Sequence, residues 1–104
     1  MSRQKQVITA IIYDKKGRVL SIGQNDYEKT HPMMLKYGKK VGMPERIYLH
    51  AEIAAITRCA DMKKAHRMLI TRFTKDGNPA LAKPCPICES AIKATGIQVV
   101  DYTV

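Results

Sequence analysis

Apolar and polar positions along the chain alternate between strand-like and helix-like periods, with turn residues between them. Val7-Ile8-Thr9-Ala10-Ile11-Ile12-Tyr13 is β-branched and almost continuously apolar, the pattern of a strand buried on both faces. Asp14-Lys15-Lys16-Gly17 is a polar turn ending in Gly, and Arg18-Val19-Leu20-Ser21-Ile22-Gly23 resumes as a strand, which predicts a hairpin. Residues 24–48 have no clear period and contain Pro32, Gly38, Gly42 and Pro44. They read as a long loop with one helical turn around Met33 to Tyr37, and a loop of that length in a compact domain is usually functional. From His50 the spacing becomes helical, with Ile53, Ile56 and Ala60 on one face and Arg58 and Lys63 off it.

The second half repeats this alternation. Arg67 to Phe73 reads as a third strand, and Lys75-Asp76-Gly77-Asn78-Pro79 as a turn. A second helix begins at Pro84-Cys85 and runs to about Thr95, with Pro86 in its first turn, where the missing N–H costs nothing, and Gly96 as its stop. Ile97 to Tyr102 forms the last strand. The order β-β-α-β-α-β predicts an α/β fold with a mixed sheet of about four or five strands, the last two parallel and joined by a helical crossover.

Composition narrows the class. A chain of 104 residues is expected to form a single domain over residues 1–104, with a core of Ile, Val, Leu, Ala and Met, since it has one Phe and no Trp. No apolar run approaches the roughly 18 residues of a membrane span. The basic start, Met1 to Gln6, is not followed by a long apolar region with a small-residue cleavage site, so neither a membrane segment nor a signal peptide is expected. The three cysteines are an odd number and two are close neighbours, which points to a reduced, cytoplasmic, metal-binding protein. Eighteen Lys and Arg against nine Asp and Glu leave a net charge of +9, a field that attracts phosphate. The charges are spread along the chain, so a merely solvated surface is the alternative.

Two fragments carry the chemistry. His50-Ala51-Glu52 and Pro84-Cys85-Pro86-Ile87-Cys88 supply one imidazole, two thiols and one carboxylate. An imidazole and two thiolates can hold zinc at three tetrahedral positions, which leaves the fourth for water. The metal lowers the pKa of that water to about 7. The cysteines are three apart on one helix face, at an N-terminus whose partial positive charge favours thiolate over thiol. Glu52 points differently from His50 and is free to move protons between the water, a ring nitrogen and departing ammonia. A structural zinc site would want a fourth ligand, for which Cys59, His31 and His66 are the candidates. A redox Cys-x-x-Cys would leave the His50–Glu52 pair unexplained.

At these residues the chain resembles the cytidine and deoxycytidylate deaminase superfamily, whose signature is H-x-E followed by P-C-x-x-C. The resemblance covers most of the chain, and Cys88 to Ile97 is closer to the deoxycytidylate and tRNA adenosine branches. It implies a minimal three-layer cytidine-deaminase-like fold, with zinc on His50, Cys85 and Cys88 and Glu52 as the proton shuttle. By the same resemblance Asn25 contacts the substrate sugar and the Ala51 backbone binds the base edge. Departures from the family pattern are the short lead into the first strand, the end soon after Tyr102, and an insertion around Lys75 to Lys83. A sheet cut short at that edge would expose backbone, so a homo-oligomer is expected.

The resemblance implies hydrolytic deamination of a cytosine nucleotide, with deoxycytidylate (dCMP) as the first choice. Lys29, Lys36, Lys39, Lys40 and Arg46 stand in the long loop and could grip a monophosphate, with His31 and Tyr27 adding to that site. The alternative is a deaminase of cytosine or adenine in single-stranded DNA or RNA. The charge favours this reading, and the scarcity of aromatic residues opposes it. A third reading is a non-catalytic, zinc-stabilised nucleotide-binding module, against which the presence of Glu52 argues.

Overall fold

A computed structural model describes residues 7–26, 31–42, 49–74 and 76–104. Four strands, β1 (Ile8–Tyr13), β2 (Val19–Gln24), β3 (Arg67–Arg72) and β4 (Val99–Tyr102), form one sheet in the order β2-β1-β3-β4. β1 pairs antiparallel with β2 and with β3, and β3 pairs parallel with β4, so the sheet is mixed, as expected. Three helices accompany it: α1 (Pro32–Lys40), α2 (Ala51–Arg58) and α3 (Pro86–Thr95).

Pleating divides the sheet into two unlike faces. Ala10 and Ile12 of β1 and Met68 and Ile70 of β3 point the same way and are fully buried against the helices. Ile11 and Leu69 pair on the opposite face and are only half-buried, and Ile22 beside Ile11 is exposed. The apolar run of β1 therefore does not mean full burial on both faces, because the helices pack on the Ala10–Ile12 side.

α2 lies directly across β1 and β2, and Gly23 makes that approach possible. A Cβ at Gly23 would collide with the Ala55 nitrogen of α2 and stand 2.7 Å from the Ala51 carbonyl oxygen. Ser21, two residues earlier on the same face, donates from Oγ to the Ala55 carbonyl at 2.7 Å. One close contact and one hydrogen bond thus set the height and position of α2 on the sheet.

Several boundaries differ from the sequence expectation. α1 is a nine-residue helix rather than one turn, because His31 caps it and Met34 and Tyr37 reach the core. α2 stops at Arg58, short of Ala60: Cys59 is extended (ψ 117°), and Asp61 caps a separate 3-10 turn over Met62–Lys64. β3 ends at Arg72, and Phe73 makes an isolated bridge to Pro79. β4 begins at Val99 instead of Ile97, after Gly96 closes α3 at φ +83°, a backbone region that favours glycine. Among the described residues no helix is long and apolar enough to cross a membrane.

Candidate metal centre

Both motifs fall at helix starts. His50 is the N-cap of α2 and Cys85 the N-cap of α3, and neither side chain caps its own helix. Their backbones do the local work, with Ala54 N–H donating to the His50 carbonyl at 3.0 Å and Glu89 N–H to the Cys85 carbonyl at 2.8 Å. This leaves an imidazole and a sulfur to face each other across the gap between the helices. Pro86 opens α3 without loss, and Ile87, Ala91 and Ile92 bury the face that seats it in the core.

His50 Nδ1 stands 3.2 Å from Cys88 Sγ and 3.4 Å from Cys85 Sγ. The three possible ligand atoms lie within 4.8 Å of one another. Donors bonded to a tetrahedral zinc at 2.0–2.3 Å stand roughly 3.5 Å apart, so the observed spacings fit that ion. Cys88 is fully buried, His50 is almost so, and Cys85 is half-buried. Cys59, at the end of α2, and His66, before β3, are not part of this group, and His31 is occupied as the α1 cap, its Nδ1 accepting from Met33 N–H at 3.1 Å.

The two thiols are strongly differentiated. The hydrogen bond from Cys88, aided by the His50 ring, lowers the Cys85 pKa to about 4 against an opposing desolvation. Cys88 is pushed well above the ordinary thiol range by that same hydrogen bond, by burial and by the nearby Glu52 carboxylate. Without metal, the sulfurs therefore share one proton, held on Cys88. Glu52 is itself buried, and desolvation raises its pKa, an effect opposed by its own backbone N–H and by His50. A carboxyl whose pKa burial raises, beside a metal-ligand cluster, is suited to accept and return a proton.

A cavity of about 150 Å³ opens onto this cluster, lined by Asn25, His50, Ala51, Glu52 and Cys85 together with Arg72 and Lys83. Asn25 is tied to β1, its Oδ1 accepting from Ile8 N–H at 3.0 Å and its N–H donating to the Ile8 carbonyl at 3.2 Å. Tyr27, Lys29 and Arg46 lie outside the described residues. Lys36 and Lys40 stand over the Tyr37 ring at 5.4 and 5.9 Å from its centroid.

Arg72 and Lys83 were not singled out by the sequence. Arg72 reads there as one residue of a strand, and Lys83 as part of an insertion. The structure carries that insertion back to the site. Arg72 donates to the Leu81 carbonyl at 3.2 Å, Ala82 N–H donates to the Thr103 carbonyl at 2.9 Å, and Ala80 N–H donates to the Arg72 carbonyl at 2.8 Å. The one local signal was that Lys83 directly precedes Pro84-Cys85.

Residues 2–104 match the family model described as the cytidine and deoxycytidylate deaminase zinc-binding region. No curated protein matches the chain.

Proposed function

The chain belongs to the cytidine and deoxycytidylate deaminase family, and on that premise we propose that it hydrolyses the exocyclic amine of a cytosine nucleotide, dCMP first among the candidates. The convergence of His50, Cys85 and Cys88 on one point, with the buried Glu52 carboxyl beside them, carries this reading. Zinc held by those three residues supplies a water acidic enough to act as nucleophile at neutral pH. Glu52 would take one proton from the attacking water and deliver it to the ring nitrogen, then take the second proton from the hydroxyl added at the ring carbon and pass it to the amine, which leaves as ammonia. Water is added and ammonia departs, so the base changes from cytosine to uracil with no redox partner.

The cavity volume of about 150 Å³ suits the base alone and leaves sugar and phosphate at the mouth. Asn25 is assigned to the sugar and the Ala51 backbone to the base edge. Lys83 and Arg72, the described cations that line the cavity, are assigned to the monophosphate, and His31 and Tyr27 complete the proposed contacts. Association into a homo-oligomer belongs to the same proposal. The second reading, a single-stranded DNA or RNA substrate, draws support from the same small cavity, which would take one base and leave the rest of a strand outside.

A product assay offering cytidine, deoxycytidine, their monophosphates and single-stranded oligonucleotides separates the two. Deoxyuridine monophosphate formed from dCMP supports the first choice. Deamination of an oligonucleotide and of no monomer overturns it.

A further inference from the structure

At the other end of the sheet a larger cavity of about 420 Å³ lies between the β1–β2 turn and the segment that enters β3. Lys15, Lys16 and Arg18 form one wall and Lys63 and Lys64 another, with His66 beside them. β1 separates this groove from the metal centre, and six extended residues span roughly 20 Å. Among the described residues Asp14 is the only carboxylate lining it, and its oxygens are already engaged: Oδ1 accepts from Lys16 N–H and Arg18 N–H at 2.9 and 2.8 Å, and Oδ2 pairs with Arg18 Nε at 2.9 Å. Among the described residues no ion pair involves Lys15, Lys16, Lys63 or Lys64. Four uncompensated ammonium groups thus face a shared concavity, an arrangement that repels itself until an anion enters. Among the described residues no aromatic ring lines the groove, so these offer charge and N–H donors with no platform for a base.

We propose that this distal groove binds a ligand carrying adjacent phosphates, recognised by charge rather than by base. Four ammonium groups carry more positive charge than a single phosphate neutralises, and two or three phosphates in succession match it. The ligand is either a free oligophosphate or the backbone of a nucleic acid, and both present the same chemistry. The site depends on neither the metal nor deamination.

The test uses the zinc-loaded full chain and two probes, inorganic triphosphate and a single-stranded oligonucleotide. Binding is compared among wild type, Lys63→Gln/Lys64→Gln, and a control that removes the same charge elsewhere, Arg58→Gln/Lys93→Gln. These positions are exposed, and circular dichroism checks that each variant folds. Loss of two charge-assisted contacts is expected to weaken a probe about tenfold or more, with little change in the control. A loss confined to triphosphate identifies a free oligophosphate. A loss for the oligonucleotide, with a salt dependence shallower by about two phosphate contacts, identifies a nucleic-acid backbone. As a second readout, triphosphate should shift the amide resonances of Lys63, Lys64 and Ala65. Equal weakening in variant and control, or no binding of either probe, overturns the proposal, whatever the outcome of the deamination assay.

Discussion

The two ends of the sheet use charge in opposite ways. At the C-terminal end of β2 and β3, four ionisable side chains are withdrawn from water and depend on one another: Cys85 becomes a thiolate because Cys88 keeps the proton, and Glu52 is held toward its neutral form by burial. At the hairpin end four exposed lysines share a field and, among the described residues, hold no ion pair, while Asp14 and Arg18 pair with each other. The cavity at the hairpin end is the larger, about 420 Å³ against about 150 Å³. Size therefore does not locate the chemistry here; desolvated, mutually perturbed donors do. An exposed cationic groove can attract and hold an anion, whereas moving protons and holding a metal require side chains whose alternatives in water have been removed.

The sharpest way to break this contrast is at Glu52. Glu52→Gln should reduce deamination by about 10²–10⁴-fold while zinc remains bound, because proton transfer is lost and the ligand set is kept. Metal analysis beside a turnover assay checks this, and loss of zinc would place Glu52 among the ligands instead.

Next in size is the metal itself. Zinc at a thousandfold excess over its dissociation constant should stabilise the fold by about 4 kcal/mol, visible as a fall in the melting temperature on chelation. Cys88→Ser should remove that response. The sign of the pH dependence follows from the two thiols. Cys85, lowered to about 4, is already ionised at neutral pH, so only Cys88, raised well above its ordinary range, must release a proton on binding. Affinity should accordingly rise about tenfold per pH unit through neutrality, with about one proton released. Competition titrations at several pH values measure the slope, and a flat profile would show that the sulfurs do not share a proton in this way.

The smallest effect sharpens the link between sheet and site. Gly23→Ala places a methyl group against the α2 backbone and should cost about 1–3 kcal/mol. Because α2 carries His50 and Glu52, turnover should fall more than a stability loss of that size explains when measured well below the melting transition. An unchanged rate in the folded variant would show that α2 can shift without disturbing the centre.

Much of this was legible in the chain, for reasons specific to certain residues. A β-branched run marks β1, and Gly96 ends α3 where a left-handed residue is needed. The donor types at His50, Cys85 and Cys88 fitted a metal before any geometry was known. In the sequence Pro32 and Gly38 look like breakers, so only one turn of α1 is legible there. Pro32 in fact occupies the first helical turn, where it is harmless, and Met34 and Tyr37 gain enough burial for the helix to run through Gly38. α2 was read too long because the period persists to Ala60, whereas Cys59 is extended and Asp61 starts a new turn. Gly23 did carry a faint signal, since an isolated glycine in a strand often marks a close backbone approach.

By itself, then, the sequence determined which groups are available and the type and order of most helices and strands, because donor chemistry and local periodicity are properties of neighbouring residues. Only the tertiary structure decided that Nδ1 of His50 lies 3.2 and 3.4 Å from sulfurs more than thirty residues away, that Arg72 and Lys83 share their cavity, and that lysines of two distant turns face one groove. Those juxtapositions are fixed by sheet register, by the seat of α2 on Gly23 and by the crossover through α3. Each depends on contacts between segments remote along the chain, which local sequence does not encode.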